Sequence, residues 1–261
     1  MIIRRRILIA SAAIVLGLAS CALPPSDATR SAFTPTGKLR VGLYPGSPTS
    51  YIAPAAGAEP RGVAYDIGRE LARRLGVPFE PVVFPNNARL LDATKAGDVD
   101  LILTNATDER RKFIDFGPTI LQVEKGYLVP AASRITDAAL VDRAGVKVGV
   151  SQGSTSQSEL GRELKQATIV PVPTLKEAGR MLTEGKLDAF GTNKAILFEM
   201  SDGLPGSRVL PGRWGLETFA LGVPKGREAS HAYLEDFTKS ARADGTVSRA
   251  ATRAGVRGTL E

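Results

Sequence analysis

Between residues 39 and 242, short apolar runs of strand character alternate with helix-length amphipathic segments, and this alternation constrains the fold more than any other feature. Leu39–Leu43 carries an apolar residue at every second place and ends at Tyr44-Pro45-Gly46, a strand leading into a turn. Asp66 is placed to cap a helix to about Leu75, with Ile67, Leu71 and Leu75 on one face and Gly76 just beyond. Pro81–Phe84 reads as a short strand, Arg89–Ala96 as a helix closed by Gly97, and Val99–Leu103 as a buried strand. A second set follows: strands at Val146–Val150, Thr168–Val172 and Ala189-Phe190, and helices at Gln157–Leu164 and Leu175–Leu182. Ala232–Arg242 predicts a last long helix. Such alternation predicts an α/β chain with parallel-rich sheets flanked by helices, and 261 residues suit two modest lobes better than one core.

The first residues read as an address. Met1–Arg6 is basic and Ile7–Leu18 is an uncharged apolar run, too short for a bilayer span of about 20 residues. The pattern predicts a secretory signal peptide over 1–20, using the general secretory route. It ends in Leu18-Ala19-Ser20-Cys21, which resembles a bacterial lipobox, so Cys21 is the expected lipidation site and the protein is expected at the periplasm or cell surface, anchored to a membrane. Residues 21–37, rich in Pro, Ser and Thr, predict a flexible tether, with the folded part starting near Lys38.

Composition removes several function classes. A single cysteine excludes an intramolecular disulfide and a Cys-based zinc cluster. A single histidine, His231, argues against a Ser-His-Asp triad or a His-rich metal site, and no metal or cofactor is expected. The net charge of +7 includes Arg4, Arg5 and Arg6, and no basic run follows them, so nucleic acid is not an expected partner. No Gly-x-Gly pattern follows any predicted strand, which argues against a dinucleotide site.

A set of segments then occurs in a telling order. Lys38-Leu39-Arg40-Val41-Gly42 is followed by Gly62-Val63-Ala64-Tyr65-Asp66-Ile67, Ala96-Gly97-Asp98-Val99-Asp100 and Thr107-Asp108-Glu109-Arg110. Later come Val146-Lys147-Val148-Gly149-Val150, Gln152-Gly153-Ser154-Thr155, Gly185-Lys186-Leu187-Asp188-Ala189-Phe190 and Ala243-Asp244-Gly245-Thr246. Over about 37–258 the chain resembles the family 3 bacterial solute-binding proteins, the amino-acid-type receptors of ABC importers. The resemblance implies a type II-like periplasmic-binding fold, with a ligand cleft between lobe one (38–126 and 220–261) and lobe two (127–219). It implies a monomer that captures an amino acid or small organic anion by hinge closure and delivers it to ABC permease subunits.

The same resemblance implies the site. Arg110 matches the arginine that clamps the ligand carboxylate, a task suited to a planar guanidinium fork. Asn105 stands where a hydroxyl often faces the ligand. Ser154 and Thr155 match residues that hold the same carboxylate from a helix start. Tyr44 and Tyr51 lie in the loop that covers the ligand, whereas Trp214 and Phe219 read as packing residues. Two departures stand out. The family's ammonium-binding aspartate is replaced by Asn193, and Asn86-Asn87-Ala88 replaces an aromatic platform. Counting Arg110 and Asn193 alone, the site leans positive and favours an anion, unless another acid such as Glu217 pairs the ammonium. Lys194 is expected to face solvent. A binding protein is expected rather than an enzyme. The alternatives are a cyclohexadienyl-dehydratase-like enzyme on the same fold and a sensory or accessory binding protein.

Overall fold

The computed structural model describes residues 25–260, so the expected signal peptide and the expected lipidation site, Cys21, lie outside the described residues. In chain order the elements are α1 (Asp27–Phe33), β1 (Leu39–Leu43), α2 (Val63–Leu75), β2 (Phe79–Val83), α3 (Asn87–Ala96), β3 (Ile102–Asn105), α4 (Asp108–Arg111) and β4 (Ile114–Val129). There follow β5 (Lys147–Ser151), α5 (Thr155–Glu163), β6 (Thr168–Val172), α6 (Leu175–Thr183), β7 (Ala189–Asn193), α7 (Lys194–Asp202), β8 (Arg208–Val209), β9 (Gly215–Pro224), α8 (Glu228–Ala243) and α9 (Thr246–Ala254).

The parallel ladders join strands with helical connections between them: β1 with β2, β5 with β6, and β5 with β7. The antiparallel pairs gather on two long strands. β9 lies between β3 and β4, and β4 turns from β9 to β7 and β8. Lys125 marks the change of partner, paired with Gly215 of β9 and with Asn193 of β7. The ribbon β4–β9 therefore joins two packed bodies. On one side Leu39, Val41, Ile67, Leu71, Leu101 and Leu221 build a core with α2, α8 and α9. On the other, Leu128, Leu182, Phe190 and Leu197 form one cluster, and Val148, Val150 and Leu160 a second.

Local chemistry explains most element ends. Gly76 and Gly97 close α2 and α3 in the left-handed conformation. α2 begins at Val63 rather than Asp66 because Gly62 has φ 151°, where a Cβ would stand 2.2 Å from the Ser50 carbonyl oxygen. The predicted tether requires correction. Ser26 caps α1 by accepting from the Thr29 N–H, and Phe33 is fully buried, 6.0 Å from Tyr233 of α8 in an edge-on contact. Burying one such ring contributes about 1.5–3 kcal/mol, so the packed chain starts near residue 26 and not at Lys38. The Pro/Ser/Thr composition concealed a cap and one apolar anchor.

Candidate functional site

The carboxyl ends of the strands meet at a cleft between the two bodies. There, a small, partly open cavity is lined by Tyr44, Asn86, Asn87, Arg110, Gln152, Ser154, Thr174, Leu175, Asn193, Glu217 and Phe219, among others. This is the position expected for ligands in open α/β sheets. The cavity volume is about 30 Å³. Arg110 and Ser154 also border an outward groove of about 560 Å³ that includes Thr155 and Glu159.

Four helix starts converge on the cavity. Asn86, Ser154, Thr174 and Asn193 are the N-caps of α3, α5, α6 and α7, and each side chain accepts a hydrogen bond from an N–H of its own first turn. Their oxygens are thereby committed to the fold, while the positive ends of the helix dipoles favour negative charge nearby.

Arg110 is 6% exposed, at the end of the short helix α4 that Thr107 caps. Its guanidinium donates to Thr104 Oγ1 at 2.6 Å, to the Asn105 carbonyl oxygen at 3.3 Å and, across the cleft, to the Gly153 carbonyl oxygen at 3.5 Å. These acceptors are neutral. Burial pushes its pKa down, against the opposing pull of Glu217, Tyr44 and Glu159.

Glu217 on β9 is the opposite charge, 9% exposed. Asn193 Nδ2 donates to its Oε2 at 2.8 Å, and Thr155 Oγ1 donates to its Oε1 at 3.4 Å. Burial pushes the Glu217 carboxyl up from its ordinary value; the Asn193 hydrogen bond and the charges of Arg110 and Lys125 work the other way. Lys125, 2% exposed, pairs with Glu159 and lies 4.8 Å from the centre of the Trp214 ring. Two cations and two carboxylates thus share this region. The positive balance expected from Arg110 and Asn193 left out Lys125 and Glu159 and held Glu217 only as an alternative.

The remaining residues fall into place around this pair. Asn105 and Thr155 are buried behind the cavity wall and joined by a 3.3 Å hydrogen bond from Asn105 Nδ2 to Thr155 Oγ1. Tyr44 lines the cavity, and burial pushes its phenol up to about 12. Tyr51 is not brought there. Its ring packs 6.0 Å from Tyr65, because backbone bridges from Pro45 and Ser47 fold it back toward the core. Phe219 both joins the core and lines the cavity, while Trp214 packs on Tyr127 and donates to the Gly126 carbonyl oxygen at 2.9 Å. Lys194 does not face solvent freely, since its ammonium lies 2.6 Å from Glu124. Asn87 Nδ2 crosses the cleft to the Gly153 carbonyl oxygen at 3.1 Å. Sequence reasoning missed Lys125 and Glu159. Lys125 stands between Glu124 and Gly126, and nothing in that local sequence marks it as buried.

Two α/β bodies on a two-stranded hinge, with buried opposite charges facing the cleft between them, define a two-lobed solute receptor. The profile of the bacterial extracellular solute-binding proteins, family 3, matches residues 39–254, and the chain belongs to that family. The ABC transporter glutamine-binding protein GlnH of Bacillus subtilis (strain 168) is 26% identical over 199 residues, 74% of this chain and 71% of that protein. Among solved structures, a solute receptor for L-cysteine of Neisseria gonorrhoeae matches with a TM-score of 0.78 at 23% identity, covering 89% of this chain and 100% of that one. The ancestral amino acid-binding protein AncCDT-1, a precursor of cyclohexadienyl dehydratase, matches with a TM-score of 0.73 at 24% identity, covering 85% of this chain and 97% of that one. The structural likenesses concern the fold.

Proposed function

We propose that this protein is the substrate-binding component of an ABC importer and that it captures the zwitterion of an amino acid. One observation carries the reading: Arg110 and Glu217, oppositely charged and both buried, line the same cavity. A carboxylate ligand replaces the neutral acceptors of Arg110 with a charge-assisted fork, reinforced by the α5 helix start behind Ser154. An α-ammonium at the other end meets Glu217, which supplies the charge that Asn193 does not. Asn193 and Thr155 then position that carboxylate, and Tyr44 covers the site. The lobes divide where β4 and β9 change partners, near 126–127 and 219–220, and close by bending that ribbon. Cys21 anchors the mature protein to a membrane, where the released ligand passes to permease subunits.

Calorimetry with a panel of L-amino acids tests this. Arg110→Ala is expected to weaken the best ligand by roughly 2–5 kcal/mol, the cost of leaving a buried charged group without its partner. Glu217→Gln is expected to weaken amino acids but not the matching carboxylic acids that lack the amine. Equal affinity in both variants and wild type overturns the reading.

A second reading has one observation in its favour. The raised carboxyl of Glu217 is the type of group that a dehydratase of cyclohexadienol substrates uses as an acid. Arg110 is the one other charged residue lining the cavity, and a guanidinium that stays protonated cannot serve as the partner base, which favours the receptor. Ring aromatisation followed by absorbance would establish the enzyme instead.

A further inference from the structure

Beyond its zwitterion-holding end, the cavity has a chemistry of its own. Arg110 and Glu217 are the only charged residues among those lining it. The rest of the wall is neutral, and much of its polarity is already used. Asn86 and Thr174 cap their helices, and Asn87 spans the cleft to Gly153. Leu175 closes the far side against the loop after β1, where a Cβ on Gly46 would lie 3.1 Å from Leu175 Cδ1. Both the α3 and the α6 helix starts line this space, so a cationic side chain meets positive dipole ends and, once Glu217 is paired, no further carboxylate. An anionic side chain meets no second cation, and the partial charge of a helix start offsets only part of the cost of desolvating a full charge.

From this wall we infer the ligand class: the receptor selects amino acids with a small, uncharged side chain and refuses cationic, anionic and aromatic ones. The inference rests on the zwitterion reading above. Once Arg110 and Glu217 are occupied by the ligand's own carboxylate and ammonium, any further charge is desolvated without a partner, and this unpaired charge is what discriminates. Lysine and arginine are refused most strongly, because the helix starts repel them as well. Large rings are refused by space, since Leu175 must retreat from Gly46 to admit them.

Titration calorimetry of the full mature chain against the twenty L-amino acids decides the matter. The expected result is that alanine, serine, cysteine or threonine binds tightest. Lysine, arginine, aspartate, glutamate, phenylalanine and tryptophan should each be weaker by more than about tenfold. A charged or aromatic amino acid within that factor of the tightest ligand overturns the ligand class while leaving the zwitterion reading intact. Absence of binding by every amino acid overturns both. Leu175→Ala, at a half-buried position, supplies an independent check on size. It should shift preference toward leucine and phenylalanine relative to alanine by about tenfold or more, and an unchanged ratio overturns the spatial part.

Discussion

Two buried carboxylates, Asp100 and Glu217, occupy opposite situations. Asp100, fully buried where β1 meets the approach to β3, accepts from the Arg40 backbone N–H at 3.0 Å, from Arg40 Nε at 2.9 Å, from Arg40 Nη2 at 2.8 Å and from Arg227 Nη1 at 2.9 Å. Glu217 has only an amide at 2.8 Å and a hydroxyl at 3.4 Å. Asp100 is saturated by cations that belong to the fold, and it ties β1 to α8. Glu217 is held in place by neutral donors, so its charge stays available to a cation from outside. Burial alone therefore does not distinguish a structural acid from a binding one, whereas the charge of the partners does.

The contrast breaks most visibly at Asp100. Asp100→Ala strands two guanidiniums and should cost about 3–5 kcal/mol of stability, read as a fall in chemical-denaturation midpoint. Affinity per folded molecule should stay unchanged, since Asp100 is not among the residues that line the cavity. A binding defect with normal stability would erase the distinction.

Asn193→Asp sharpens the comparison at intermediate size. The new side chain still caps α7, but its carboxylate replaces the amide donor to Glu217 with a like charge. Stability at neutral pH should fall by roughly 1–3 kcal/mol, the worth of a hydrogen bond to a charged group. The loss should shrink on acidification, when the pair can share a proton. A more stable variant at neutral pH would show that Asn193 and Glu217 do not meet.

The smallest effect is a pH profile. Burial raises the Glu217 carboxyl above its ordinary value in the folded state. Its contribution to stability is therefore full below the unfolded value and is lost as pH rises through the raised folded one. Ligand affinity runs the other way. It falls on acidification through the same raised value, because a protonated Glu217 no longer pairs an ammonium. Glu70 and Asp244, whose folded values lie at about 2, contribute stability that is lost only as pH falls toward that value. Comparing wild type with Glu217→Gln isolates the one group. Parallel profiles in both proteins would remove Glu217 from the account.

Much of the fold was legible in local sequence. The predicted spans Leu39–Leu43 and Thr168–Val172 coincide with β1 and β6, and Gly76 and Gly97 stop their helices as read. These features depend on period and on backbone freedom, which a short window contains. The full span of β4, from Ile114 to Val129, was not legible, because Pro118 interrupts it and the ladder is irregular between Phe116 and Leu121. The site divides in the same way. Arg110 was marked by its neighbours in the chain. Glu217 reaches Asn193 only because Val123 pairs with Glu217 while Lys125 pairs with Asn193, so that one strand sets both distances. No local pattern encodes that register.

The β4–β9 ribbon also has a mechanical consequence. From Leu121 to Lys125 its two strands are cross-bonded in one register, so sliding one past the other by a residue would turn every side chain there to the wrong face. Flexing the ribbon breaks no rung of that ladder. The linkage behaves as a leaf spring that is stiff to shear and soft to bending where β4 leaves β9 for β7 at Lys125. Relative travel of the two bodies is thereby reduced to a single swing. Whatever enters the cleft is met by both jaws along the same arc each time, which fixes alignment before any contact with the ligand forms.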